Sequence, residues 1–427
     1  MSQKFRIVIV GGGVAGMALA TRLGDDLGKS GRASITLVDK SFAHVWKPIL
    51  HCFAAGTARN PNDRISFLSQ ASRHYFEFWP GEITAMDRDA RTLTLAPIDG
   101  PDGERVLGER TLDYDLVVLS LGSRANDFNT PGVIDHCLFI DNLVEANSFN
   151  DKFRMEQLRA FGENVPLDIA IVGGGATGTQ LAAELHKALD LASLYSFGRK
   201  RPDLKITLLE AGPRILPAFP EAVSAAAVEE LNRIDVTVRT SAMVSGADAK
   251  GFILKDGTHI PAALMVWAAG VKAPEVTTKF GWLKLSRSGQ IEVRPNLQST
   301  EDEAIFAMGD CAFVADAPVA PTAQAARQQA HHLARHMRAW IDRKQPIPDF
   351  KFRNKGAIVA LGDYNGWGTF PGGTVFGGGW LRGLSARLGH IMLYRQHQFE
   401  LYGTLRGAVS WLVDWLEKFV RPSIRLD

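Results

Sequence analysis

Two glycine clusters, and the acids that follow them, are the residues of this chain best suited to chemistry. The first reads Gly11-x-Gly13-x-x-Gly16, with Asp39 and Lys40 ending the next apolar segment. Glycines at this spacing allow a tight turn, close approach of backbone to a pyrophosphate and close helix–strand packing, while the helix N-terminus faces the negative charge. Asp39, 23 residues past Gly16, is placed to accept hydrogen bonds from a ribose. The second cluster reads Gly173-x-Gly175-x-x-Gly178, and its next apolar segment ends at Glu210, 32 residues on. An acid there favours NADH, because it repels the extra phosphate of NADPH, although Arg214 stands close enough to blur that preference.

A single glycine signature is weak, but here strand, glycines, helix, second strand and terminal acid recur in order, 5–23 with SITLVDK and 167–185 with KITLLEAG. Each copy has a further apolar strand: YDLVVLSLGS reaches Gly122, and ALMVWAAGVKAP contains Gly270. Two such sites imply two dinucleotides, and a flavin with a nicotinamide is the pair that exchanges hydride. The strand IFAM ends at Gly309-Asp310. Alone that is an ordinary turn. Two-dinucleotide flavoproteins carry such a pair, whose carboxylate binds the ribityl chain, so it favours non-covalent FAD in the first copy and NADH in the second.

The expected fold is therefore α/β, with two Rossmann-type dinucleotide-binding domains and a C-terminal helical extension. Residues 1–145 and 285–350 form a discontinuous FAD domain, 146–284 an inserted NADH domain, and 351–427 the extension, with linkers near 125–150 and 284–296. The length of 427 residues leaves room for this. A net charge of +2 gives no footprint for nucleic acid. Cys52, Cys137 and Cys311 form no C-x-x-C, which argues against a disulfide framework, a thiol redox pair or a cysteine zinc site. His331, His332 and His336 lack carboxylate or cysteine companions, so no metal is expected. Lys4-Phe5-Arg6 interrupts any apolar leader, and the uncharged stretch Tyr364–Leu381 is too rich in glycine for a membrane helix.

Taken together, AHVWKPILH (43–51), SLGSRANDFNTPGV (120–133), IVGGGATGTQLAAELH (171–186), ITLLEAGPRILPAFP (206–220), MVWAAGVKAP (265–274) and FAMGDCA resemble the type II NADH dehydrogenases over essentially the whole chain. That resemblance implies a single-chain, FAD-containing NADH:quinone oxidoreductase that pumps no protons. It implies a quinone site at Ala323-Gln324-Ala325-Ala326-Arg327-Gln328; Gln324 and Gln328, four apart on a helix, project from one face, and neutral amides can bond quinone carbonyls in an apolar pocket. It places Glu184, six residues past Gly178 among Leu181, Ala182, Ala183 and Leu185, towards the nicotinamide and the flavin's reactive edge, in a role of proton delivery or positioning. It also sets Trp46-Lys47-Pro48 against the isoalloxazine, where the lysine charge would stabilise a reduced, anionic ring. A sulfide:quinone oxidoreductase shares the fold but needs paired cysteines, and an NADH-binding redox sensor would lack quinone turnover.

From Leu401 to Arg421 a helix period is expected. Leu401, Leu405, Ala408, Val409, Leu412, Leu416, Phe419 and Val420 form its apolar stripe, opposite Arg406, Ser410, Asp414, Glu417 and Arg421, and Trp411 and Trp415 flank the stripe. From Arg382 onward seven basic residues face four acids. Such a helix suits the plane of an anionic bilayer, or packing on the body of the protein or a second subunit. A quinone acceptor favours the bilayer, at the cytoplasmic face of the inner membrane, with a homodimer as the expected assembly.

Overall fold

The computed structural model describes residues 4–58, 64–194, 203–370, 374–377 and 379–417. From the N-terminus run β1 (Phe5–Val10), α1 (Val14–Leu23), β2 (Ala33–Asp39), α2 (Leu50–Ala55), β3 (Glu77–Pro80) and β4 (Leu116–Leu119). Next come α3 (Leu143–Glu163), β5 (Leu167–Val172), α4 (Ala176–Leu194), β6 (Leu204–Leu209), β7 (Val236–Arg239) and β8 (Leu264–Trp267). Then follow β9 (Ile305–Ala307), α5 (Ala323–Arg343), β10 (Ala357–Leu361), β11 (Asn365–Thr369), β12 (Val375–Gly377), α6 (Gly379–Tyr402) and α7 (Thr404–Glu417). These elements fall into two compact units: Met1–Trp46, Asn62–Arg124 and Val271–Arg353 in one, and Lys47–Pro61, Ala125–Gly270 and Asn354–Asp427 in the other.

In the first unit five parallel strands lie in the order β9-β4-β1-β2-β3. Ile7 sits beside Leu116 on one side and Ile35 on the other. A parallel sheet is covered on both faces, which explains why Ile7–Val10 and Leu116–Leu119 are apolar and buried at every position instead of alternating. Helices α1 and α5 pack together against it. Trp340 of α5 meets Phe5 and Phe306 edge-on, with ring centroids 6.5 and 5.8 Å apart, and so fixes the helix over β1 and β9. At the other end of α5 the Thr322 hydroxyl accepts from the Ala325 amide and caps the helix.

In the second unit β7-β6-β5-β8 form the equivalent parallel sheet, and α4 follows β5 as α1 follows β1. The stretch expected as a linker at 125–150 is structured. Leu138 bridges Val266 beside β8, the Trp267 indole donates to the Asn126 carbonyl at 2.8 Å, and α3 starts at Leu143. The Asn and Asp residues that suggested a linker serve as a helix start: Asn142 accepts from the Glu145 amide, while Glu145 takes the Asp141 amide at 2.8 Å.

The tail expected as strand-like pieces and helix forms the antiparallel sheet β10-β11-β12 followed by α6 and α7. The helix period expected from Leu401 is broken at Gly403. Its φ of +77° turns the chain in a left-handed step that suits glycine, so Leu401 lies in the last turn of one helix and Leu405 in the first turn of another. Phe419, Val420, Arg421 and the other residues after Glu417 lie outside the described residues, as do Pro371–Gly373 and Gly378.

Candidate functional site

The two glycine turns are built alike, although they lie in separate units. In the first, Asp39 accepts from the Gly12 amide at 2.6 Å and the Ser41 amide at 2.7 Å. In the second, Glu210 accepts from the Gly174 amide and the Gly212 amide, both at 2.7 Å. In each, one carboxylate oxygen ties the acid to the middle glycine of its triplet, and the other takes the amide two residues on. This brackets the strand end and aims the carboxylate at the mouth of the turn. Burial pushes the Asp39 carboxyl up, opposed by the amide bonds from Ser41 and Gly12.

Space at each turn follows the chemistry that the glycines were expected to serve. A methyl at Gly16 would lie 1.8 Å from the Gly11 carbonyl oxygen, and at Gly178 2.1 Å from that of Gly173, so helix and strand touch through hydrogen alone. A methyl at Gly13 or Gly175 would meet nothing within 4 Å, which leaves the outer face of each turn open to a pyrophosphate. The donor set, the open face and the acid together fit one dinucleotide per unit. Arg214 points elsewhere: its guanidinium donates to the Phe219 and Pro217 carbonyls at 2.7 and 2.9 Å and to the Ser224 hydroxyl at 2.8 Å. The Arg214 guanidinium is thus held within its own loop. In a Glu210→Ala chain the KM for NADH should rise roughly thirtyfold, about 2 kcal/mol for a charge-assisted hydrogen bond, while the flavin stays bound. Steady-state kinetics on purified protein checks this.

Two partners missed in the sequence complete the first site. The Ser123 hydroxyl donates to Asp310 at 2.8 Å, and the buried Gln329 side chain accepts from the Gly309 amide at 2.6 Å. Gln329 was legible in principle, because it shares the core-facing stripe of α5 with Ala325, Ala326, Ala330 and Leu333. A groove of about 310 Å3 opens beside Asp310, lined by Lys272, Gln290, Phe313 and residues 318–321. Gln324 and Gln328 share one face of α5 as expected, but neither lines this groove. The Gln328 amide donates to the Arg353 carbonyl at 2.8 Å and accepts from its amide at 3.0 Å, so it clamps the chain after the helix. Lys40 pairs with Glu82 at 2.9 Å on the surface.

His44, also missed, lies behind the first turn with Nδ1 2.8 Å from the Gly12 carbonyl. Full burial pushes its imidazole down to about 4 from the ordinary 6.5. A folded value below the unfolded one stabilises the fold above pH 6.5, and that stability is lost as pH falls towards 4. The loss should reach about 3 kcal/mol by pH 4. Thermal denaturation between pH 4 and 8 should show this fall, and a shallower one in a His44→Gln chain.

In the second unit Glu184 is buried on α4, 6% exposed, as its apolar neighbours required. It accepts from the Thr57 hydroxyl, and Lys187 stands 3.6 Å away. Trp46 is buried in the first unit; Lys47 is exposed at the head of the turn Lys47–Ile49 in the second, and Gly270 ends the strand connection after β8. None of the three cysteines forms a disulfide among the described residues. Burial pushes the Cys137 and Cys311 thiols up to about 12, so neither supplies a thiolate. No cluster of metal ligands occurs among the described residues.

Residues 5–330 match the family described as pyridine nucleotide-disulphide oxidoreductase. A type II NADH:quinone oxidoreductase of Haemophilus influenzae is 39% identical, over 98% of this chain and 99% of its own. The structure of NDH2 from Plasmodium falciparum in complex with NADH superposes with a TM-score of 0.82 at 19% identity, covering 99% of this chain and all of that one. The sulfide:quinone oxidoreductase of Aquifex aeolicus shares the fold at a TM-score of 0.72 and 18% identity, over 99% of this chain and 98% of its own. With the paired nucleotide turns and the full-length likeness at 39% identity, the chain belongs to the pyridine nucleotide-disulphide oxidoreductases and, among them, to the type II NADH:quinone oxidoreductases.

Proposed function

We propose that this protein oxidises NADH and reduces a membrane quinone from the surface of a bilayer, without pumping protons. The observation that carries the reading is the duplicated turn, in which Asp39 and Glu210 hold the middle glycines of two open pyrophosphate sites. Gly11, Gly13, Gly16, Asp39 and Lys40, with Gly122, Gly309 and Asp310, would hold FAD. Gly173, Gly175, Gly178, Glu210 and Gly270 would hold NADH. Bound FAD supplies a ring that takes hydride from NADH and delivers electrons to quinone.

The remaining work falls to side chains. Trp46 and Lys47 border the flavin, and Lys47 supplies a positive charge for electrons to be drawn towards. Glu184 orients the nicotinamide and exchanges a proton, through the carboxylate oxygen left over from Thr57 and Lys187. Gln324 contributes an amide for a quinone carbonyl, and Gln328 supports it from the next turn, its Nε2 3.4 Å from the Gln324 oxygen.

Support for the bilayer comes from the way α7 sits. Gly407 and Asp414, on its polar side, face α6, where Gly407 lies under Phe399 and Asp414 pairs with Arg395. The apolar stripe is turned outward: Leu405 is 78% exposed, Val409 53%, Leu412 56% and Leu416 50%. A helix that only packed on its own chain would be turned the other way. Trp411 and Trp415 are half exposed beside the stripe, and no described helix is long and apolar enough to cross a membrane. These features support peripheral binding, which we assign to the cytoplasmic face of the inner membrane. Leu388, Ile391 and Met392 of α6 leave a second exposed face for a copy of the chain in a homodimer.

An anaerobic stopped-flow experiment tests the reaction. Rapid bleaching of flavin absorbance by NADH and rapid recolouring by a short-chain ubiquinone is the expected result. Bleaching without recolouring would sink the quinone assignment, and bleaching by sulfide alone would sink NADH. Removing the residues after Gly403 should release the protein from sedimenting vesicles while short-chain quinone turnover persists. Undiminished sedimentation would place the anchor elsewhere.

A further inference from the structure

Glu184 has neighbours that neither glycine signature nor apolar pattern announces. Lys187, one turn along α4, lies 3.6 Å from Glu184 Oε2, the oxygen that also accepts from Thr57. The same ammonium lies 2.7 Å from Asp363, in the tight turn that joins β10 to β11. Gly362 opens that turn with a φ of +53°, and a methyl there would lie 3.4 Å from Glu184 Oε1 and 3.7 Å from the Lys187 side chain. The turn is seated on α4 by a second set of bonds. The Tyr364 hydroxyl is 2.7 Å from His186 Nδ1 and donates to Asp190 at 3.2 Å. Residues some 180 positions apart in the sequence thus hold one buried carboxylate.

We propose that Lys187, tethered by Asp363 in this C-terminal turn, is a positioning residue for Glu184. It fixes Oε2 and leaves Oε1 for the reacting partners. The proposal rests on the reading of Glu184 given above. Its electrostatics follow from exposure: the Glu184 and Lys187 side chains are 8% and 16% exposed, so their attraction is little screened, whereas Asp363 at 43% is partly in water. Lys187 favours a charged Glu184, and Asp363 draws part of that charge away. The other ionisable groups on elements packed against α4 are His51 and Cys52 on α2, Asp168 on β5, Lys205 on β6 and Arg239 on β7; none bonds to Glu184 among the described residues. His186, Asp190 and Tyr364 pair with one another.

The two partners of the tether therefore predict opposite effects, which a loss of packing would not produce. The test is the pH dependence of kcat in the full-length flavin-loaded protein and in four variants: Glu184→Gln, Lys187→Met, Lys187→Arg and Asp363→Asn. The limb of the profile that belongs to Glu184 is the one absent from Glu184→Gln. It should move up in Lys187→Met, move down in Asp363→Asn, and return towards the parent position in Lys187→Arg. Thermal melting of each variant reports whether the fold is kept, and Asp363→Asn, at an exposed turn, provides a second route should Lys187→Met misfold. A limb that stays in place in both Lys187→Met and Asp363→Asn, or moves the same way in both, overturns the proposal. A Glu184→Gln chain with the parent profile overturns instead the role given to Glu184 itself.

Discussion

Replacing Gly16 with alanine should yield a colourless protein. The added methyl would sit 1.8 Å from the Gly11 carbonyl oxygen and 2.6 Å from the Ser120 hydroxyl. The first contact is with backbone, and Gly11 cannot retreat, because its φ of +100° and the Ser120 carbonyl behind it already fix the turn. The helix must move off the strand, at a cost of about 3 kcal/mol, and the open amides of the turn lose their aim. Gly13→Ala separates the two consequences. Nothing lies within 4 Å of the position of its methyl, so the fold should melt at the parent temperature while FAD retention falls, the methyl occupying the space of the pyrophosphate. Absorbance near the flavin bands, measured per mole of protein, and the melting curve together read the pair. A yellow Gly16→Ala chain with unchanged melting would mean that this turn does not hold the flavin.

Glu184→Gln should slow turnover by about a hundredfold, the usual yield of a positioned acid or base. The amide keeps the size of the side chain and can still accept from Thr57, so FAD content and melting should stay near the parent values. The loss should appear in kcat, because the amide can neither take nor give the proton. Parent-level turnover in this variant would remove Glu184 from the mechanism.

Much of this was legible in the residues themselves. The two glycine turns could be read because their demands are local: a close helix–strand approach at Gly16 and Gly178 and an acid at the end of the next strand are properties of short spacing. Buried parallel strands announced themselves by unbroken apolar runs such as Ile7–Val10. The period of α5 was equally plain, from Ala323 to Arg343. Asn142 reads ambiguously, because a polar cluster makes a loop or a helix cap depending on the residues after it, and the stripe of α3 is too weakly apolar to decide.

What tertiary structure alone decided is who meets whom over long separations. Sequence spacing could place Glu184 on the buried side of α4, but it could not show that Thr57, Lys187 and the turn at Asp363 surround it. Nor could it show that Gln329 takes the Gly309 amide, that Gln328 is occupied by Arg353, or that Arg214 is held by its own loop. A hydrogen bond is specific to an angle and a tenth of a nanometre, and nothing in the chain between two such partners records that distance. The tail gives the clearest case. Its apolar stripe was visible in the letters, yet whether the stripe faced inward or outward depended on one glycine at 403 and one ion pair from Arg395 to Asp414. Amphipathic period fixes that a helix has two faces; only the packing of its neighbours fixes which face meets the water or the lipid.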